Sequence, residues 1–151
     1  MTLVMRTATR EDVPALRALL ADDVLGRARE DLTVAGLRCY LDAYDRIASD
    51  PRNLLLAAEE AGRVVGTCQI TFIPYLSRGG GERAHIEAVR VAADRRGCGI
   101  GRAMMEHALG EARRRGCRIA QLTSDKSRTD AHRFYAGLGF RATHDGFKLA
   151  L

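Results

Sequence analysis

The run Arg96-Gly97-Cys98-Gly99-Ile100-Gly101-Arg102, set between a strand-like stretch and a helix-like stretch, is the strongest constraint in this sequence. Glycines at alternate positions let backbone approach a ligand closely, and a helix that starts there adds unpaired N–H donors and a partial positive charge. Phosphate is the natural guest of such a loop. Two phosphate loops are excluded by the residues present. A Walker loop needs Lys-Ser/Thr after its last glycine, and this chain has Arg102-Ala103. A dinucleotide fingerprint needs a glycine or alanine three residues beyond Gly-x-Gly, and neither the register from Gly97 nor that from Gly99 supplies it. What remains is an Arg-x-x-Gly-x-Gly turn, which by itself is equally a structural strand-to-helix turn.

With 151 residues, 46% of them hydrophobic, the chain is expected to form one domain over residues 1–151 with its own core. Residues 1–10 contain no apolar run of signal-peptide or membrane-span length, which points to a cytoplasmic protein and away from the membrane. Cys39, Cys68, Cys98 and Cys117 are too far apart for a metal knuckle or a Cys-x-x-Cys pair, so no metal is expected and the thiols read as free. Residues 95–133 hold ten Lys/Arg against four acids, a net of +6 in a chain whose total is +5. That excess beside the glycine loop suits a polyanionic ligand or nucleic acid; for Arg113-Arg114-Arg115 it also suits a plain solvated helix end. Aromatic residues make up 5% with no Trp, so base-stacking platforms are scarce and nucleic acid is disfavoured as a partner.

Along the chain, residues 3–8 read as a strand and 11–21 as an amphipathic helix with Val13, Leu16, Leu19 and Leu20 on one face. A second helix is expected over 32–47. Two strands, near 53–60 and 63–73, are joined by Ala61-Gly62, a hairpin signal. Ser77 to Glu82 reads as a flexible loop, and His85 to Val91 as a strand running into the glycine loop. The next helix puts Ile100, Met104, Met105, Ala108, Leu109 and Ala112 on one face and is capped by Gly116. A short strand is expected over 119–123, and Ser127-Arg128-Thr129-Asp130 resembles a capping box opening a last helix over 131–138. Residues 140–151 should add one or two closing strands.

This order of elements, with Val89-Arg90-Val91 leading into Arg96-Gly-Cys-Gly-Ile-Gly101 and with Ala131-His-Arg-Phe134-Tyr135-Ala-Gly-Leu-Gly139-Phe140 about 35 residues on, resembles the GNAT superfamily of N-acetyltransferases over essentially the whole chain. The resemblance implies an α/β (α+β) fold with a mixed, mostly antiparallel sheet of six to seven strands, splayed at its centre, and about four helices. It implies acetyl-CoA as cosubstrate. The backbone of Val89, Arg90 and Val91 would pair with the pantetheine arm, and the amides of Arg96, Gly97, Cys98, Gly99, Ile100, Gly101 and Arg102 would hold the pyrophosphate. The family's tyrosine maps onto Tyr135, where a phenol can protonate the departing thiolate; read from residues alone, Tyr135 is equally a core aromatic with a satisfied hydroxyl, while Phe134, paired with Leu138, is core.

Glu87 occupies a place where glucosamine-6-phosphate and aminoglycoside members carry an acid that handles substrate, which makes it the base or amine orienter; its alternative is an ordinary strand carboxylate. His85 alternates to the same face as a weaker candidate. The family often has Asn where this chain has Arg128, which then contacts CoA phosphate or a substrate anion, or is a surface arginine at a helix start. Cys98 is not needed as a nucleophile, since direct transfer forms no acyl-enzyme. The expected acceptor is a primary amine of a small molecule, cationic amines first, with arginines at 78, 83 and 128 leaving room for a phosphorylated or carboxylated one. The competing readings are acetylation of a protein N-terminus or lysine, of aminoacyl-tRNA, or a non-catalytic acyl-CoA-binding module. Family members commonly dimerise, and no pattern in this chain fixes its own state.

Overall fold

Ala61 and Gly62, with φ of 51° and 78°, both turn through the left-handed region, the requirement of a two-residue hairpin whose twist matches its strands. They join β2 (Asn53–Glu60) to β3 (Arg63–Tyr75). The computed structural model describes residues 2–151, which fall into two compact units, one through Gln121 and one Leu122–Leu151.

In the first unit, β1 (Leu3–Thr7), β2, β3, β4 (Gly81–Val91) and β5 (Ile119–Gln121) lie side by side in sequence order. The first three pairings are antiparallel and β4–β5 is parallel. One face is covered by α5 (Ile100–Arg114), which buries Ile100, Met104, Met105, Ala108 and Ala112 as its periodicity requires, with Leu109 half-buried. Gly66 sets the closeness of that packing: a Cβ there would stand 2.8 Å from Met104 Sδ and 3.2 Å from Arg90 O. The helix ends as Gly116 predicts, with Gly116 N donating to Arg113 O at 3.0 Å and Cys117 N to Ala112 O at 2.9 Å. Against the other face sits α1 (Val13–Leu20), whose Leu16 packs with Ala8 and Ala57. Its approach is braced by Arg6, whose guanidinium bonds Asp12 at 2.6 Å and Glu59 at 2.7 Å. That contact draws the Asp12 carboxyl down to about 2.

Among the described residues the α-helices number six, two more than expected. The short α2 (Val24–Arg29) carries too few residues to register as periodicity, and its one sign is Asp23, whose carboxylate accepts from Gly26 N. The expected helix over 32–47 starts late, as α3 (Leu37–Ser49). Asp31 Oδ1 accepts from Thr33 N at 2.8 Å and Thr33 Oγ1 accepts from Gly36 N at 3.0 Å, so local side-chain turns replace the first helical turn. The loop over 77–82 contains α4 (Ser77–Gly80), a single turn in which Arg78 and Gly79 take φ of 54° and 79° and reverse the chain.

The second unit holds α6 (Thr129–Ala136). It starts and ends two residues before the expected 131–138, and Ser127 does not cap it: Ser127 N and Oγ both turn back to Asp125 Oδ1, at 2.9 and 2.6 Å. The closing strands expected over 140–151 do not form among the described residues, so the sheet has five strands and not six to seven. Alternation at Phe147, Leu149 and Leu151 is strand-like, yet all three side chains are exposed and no ladder takes them up. Among the described residues, no helix is long and apolar enough to cross a membrane.

Candidate functional site

The site grows from an irregularity in β4. Thr67 pairs with Arg90 and Gln69 with Glu87, so Ala88 and Val89 together stand opposite Cys68. This is a β-bulge, and Ala88 absorbs it with φ of 54°, a left-handed conformation that a non-glycine residue adopts only under constraint. Cys68 beneath it is buried, and burial pushes its thiol up to about 12, so it stays protonated and inert. β4 pairs with β5 only at Arg83, Ala84 and His85. The stretch from Ile86 to Val91 runs past that pairing while staying paired with β3 on its other side.

Beyond β4 a single 3-10 turn, Ala93–Arg95, delivers the chain to the glycine loop. Gly97 and Gly99 take φ of 77° and 81°, and no atom lies within 4 Å of where their Cβ atoms would be. The glycines are there for backbone conformation and for the open space over them, which a side chain would fill. At the start of α5 Ala103 N donates to Gly99 O at 3.0 Å, so the amides of Ile100 and Gly101 precede the helical ladder, as at any helix N-terminus. Open amides, glycine backbone and a helix dipole together fit a pyrophosphate.

The arginines around the loop are engaged elsewhere. Arg96 donates from Nε to Val91 O at 3.1 Å and from Nη2 to Asp22 O at 2.7 Å and Asp22 Oδ2 at 3.3 Å. The same Asp22 carboxylate accepts from Ala93 N at 2.8 Å. Arg90 donates to Val89 O at 2.9 Å and stands 3.5 Å from Asp23. Both arginines therefore tie β4 and the loop to the corner between α1 and α2. Arg102 reaches Glu106 at 3.7 Å along the helix, and exposed Cys98 has its Sγ 3.8 Å from Arg96 O.

On the sheet face opposite α5, register brings Asn53, Thr71, His85 and Gln121 into one row across four strands, with Gln69 and Glu87 in the next. Thr71 Oγ1 donates to Asn53 Oδ1 at 2.8 Å. Gln121 Nε2 lies 3.4 Å from His85 Nδ1, and His85 Nε2 lies 3.2 Å from Glu87 Oε2. With the amide donating to Nδ1, the ring proton sits on Nε2 and points at the carboxylate. Glu87, exposed beside the bulge, is thus held by a histidine that is itself held. Sequence reasoning undervalued His85 and missed Gln121, Asp22 and Asp23; only the register, or partners some 70 residues away, reveal them.

In the second unit Tyr135 is half-buried, edge-on to Phe134 at 5.2 Å and to Phe140 at 6.0 Å between ring centroids. Phe134 on α6 and Leu138 just beyond it are half-buried too, so Phe134 is not a fully buried core residue. Arg128 stands at the N-cap of α6 with no side-chain capping bond.

Residues 21–140 match the model of the acetyltransferase (GNAT) family. The chain is 30% identical over 149 residues to an aminoalkylphosphonate N-acetyltransferase of Salmonella typhimurium, covering 97% of this chain and 90% of that protein. It is 35% identical over 130 residues to a glucosamine 6-phosphate N-acetyltransferase of Trypanosoma brucei brucei, covering 85% of this chain and 86% of that one. Among solved structures, a protein described as a transcriptional regulator from Bacillus halodurans superposes with a TM-score of 0.96 at 43% identity, covering 99% of this chain and 100% of the other. An acetyltransferase-like protein from Agrobacterium tumefaciens superposes at 0.85 with 29% identity, covering 98% and 99%.

Proposed function

This chain belongs to the GNAT acetyltransferase family and is an acetyl-CoA-dependent N-acetyltransferase, and from that premise we propose that residues 1–151 act as one acetyltransferase domain moving the acetyl group to the primary amine of a small molecule. The observation that carries the reading is the bulge at Ala88 and Val89 followed at once by the open glycine loop. Acetyl-CoA supplies a thioester carbonyl open to attack by a neutral amine. In this reading the main chain of Val89, Arg90 and Val91 aligns the pantetheine arm, and the amides from Arg96 to Arg102 take the pyrophosphate. The two curated relatives are named for acceptors that are themselves small primary amines, one an aminoalkylphosphonate and one glucosamine 6-phosphate.

Glu87 receives the ammonium group and draws off its proton, with His85 Nε2–H fixing the carboxylate's direction. Tyr135 is assigned the acid role from its place in the Phe-Tyr motif: its phenol protonates the departing thiol. Arg128 is left to a CoA phosphate. A nucleic-acid substrate is disfavoured because base-stacking platforms are scarce, with 5% aromatic residues and no Trp, and because Arg102, Arg114 and Arg115 of the charged segment are each paired with a glutamate.

The test of this reading is the pH dependence of turnover for wild type and Glu87→Gln on one accepted amine. The variant should lose most at low pH, where the amine is protonated, and approach wild type as the pH nears the amine's own pKa. Parallel profiles at similar rates would remove Glu87 from the reaction.

A further inference from the structure

At its hairpin end β4 carries a guanidinium where a sheet interior ordinarily has an apolar side chain. Arg83 pairs with Ile73 on one side and Ile119 on the other, on the same face as His85 and Glu87. Its Nε is buried without a hydrogen-bond partner, and its Cζ lies 5.5 Å from the centre of the Tyr75 ring. Tyr75 can lie there because residue 81 is glycine: a Cβ at Gly81 would stand 2.8 Å from Tyr75 Oη and 2.9 Å from Arg118 Cδ. Arg118 in turn donates to Arg78 O at 2.6 Å. Arg83 and Arg118 thus both stand beside Tyr75, and among the described residues neither has a carboxylate within ion-pair distance. The nearest acid in sequence, Glu82, points to the other face and is taken by Arg115 at 2.6 Å. An oriented, part-buried arginine without a counter-charge is costly unless an anion completes it.

We propose that Arg83, with Arg118 beside it, is the anion-reading subsite for the acceptor, and that the acceptor is a primary amine bearing a phosphate or phosphonate group. This rests on the reading that Glu87 receives the amine. Arg83 and Glu87 are four residues apart on one strand face, about 13 Å between Cα atoms; Glu87 leans back to His85 while Arg83 reaches over Tyr75 toward the hairpin end, so an extended small molecule with its amine at one end and its anion at the other spans the two. His85 lies between them. A guanidinium fork binds two oxygens of a phosphorus oxyanion at once, which an ammonium or a neutral group on the acceptor cannot exploit. The order in which sequence alone placed the acceptors, cationic amines first, is reversed by this corner.

The experiment compares matched acceptors by thiol release and by equilibrium binding: aminoethylphosphonate against ethanolamine, and a phosphorylated amino sugar against the free sugar. Wild type should favour the phosphorus compound by about tenfold to a hundredfold in kcat/KM, the range for a charge-assisted contact, expressed mainly in KM. Arg83→Gln should lower that ratio by at least about tenfold and weaken binding of aminoethylphosphonate, Arg83→Lys should restore part of the ratio, and an unchanged acetyl-CoA melting shift shows the variants folded. The two acceptor pairs separate a short phosphonate from a longer sugar phosphate. Equal use of charged and neutral amines by wild type, or an Arg83→Gln enzyme with the same ratio, overturns the subsite while leaving N-acetyl transfer standing. Failure to release thiol with any amine overturns the proposed function itself, and binding of aminoethylphosphonate that Arg83→Gln leaves unaltered then overturns the subsite as well.

Discussion

Asp22→Ala tests whether the glycine loop is held in place from a distance. The carboxylate accepts from Ala93 N at 2.8 Å and from Arg96 Nη2 at 3.3 Å, while the main-chain bond from Arg96 to Asp22 O at 2.7 Å does not need the side chain. The side chains of Arg96 and Asp22 are 50% and 36% exposed, so their ion pair alone contributes under about 1 kcal/mol. The bond from a main-chain amide to a carboxylate adds about 1 to 2 kcal/mol. Together these put the cost at roughly 1 to 3 kcal/mol, and if the tether pre-shapes the pyrophosphate loop, acetyl-CoA affinity falls by about fivefold to a hundredfold. Asp22→Asn keeps an acceptor for Ala93 N and should lose much less. Calorimetric titration with acetyl-CoA gives both numbers, and thermal melting of the free proteins separates a general loss of stability from a loss of binding. An Asp22→Ala protein that melts earlier yet binds acetyl-CoA like wild type would refute the argument and leave Asp22 as a purely structural brace.

Other expectations follow from the same geometry. Gly99→Val forces a β-branched residue to φ of 81° and fills the space over the loop, so the melting shift caused by acetyl-CoA should vanish; an undiminished shift would count against the loop as the phosphate site. Tyr135→Phe should fold and bind acetyl-CoA but turn over about 10²-fold more slowly with an altered high-pH limb, and normal turnover would assign the proton to another group. Asp12, whose folded pKa is depressed to about 2 by Arg6, contributes stability that is fully present above the unfolded value of about 4 and is lost as pH falls through the folded value. Acid titration of wild type and Arg6→Ala should therefore differ at neutral pH and converge between about pH 4 and pH 2; curves that stay parallel through that window would contradict the pairing.

Much of the fold is legible in the sequence because its signals are local. The hairpin at Ala61-Gly62, the apolar stripe of α5 and the Gly116 cap each depend on residues within one turn or one helix, and each stands where expected. The glycine loop is legible for the same reason. The bulge beside it is not, since Ala88 gives no hint of a positive φ and only the register of β3 against β4 creates it. The delayed start of α3 lay in Asp31 and Thr33, polar residues whose competition with the helix is decided by a few hydrogen bonds. The late strands were over-read: alternation from Phe147 to Leu151 is a necessary sign of a strand, but a strand also needs a neighbouring edge, which local pattern cannot supply. The ties from Arg96 and Arg90 to Asp22 and Asp23 span about seventy residues of sequence and have no motif at all.

Transfer of acetyl from acetyl-CoA to a small primary amine leaves two products that can be counted. Its most direct measurement is the stoichiometry of the reaction, with free CoA thiol counted by a chromogenic reagent and N-acetylated amine counted by mass spectrometry in the same tube. One acetylated amine is expected for every thiol released, at a rate that saturates with the amine. Thiol release that is the same with and without every amine offered, with no N-acetyl product, would contradict it.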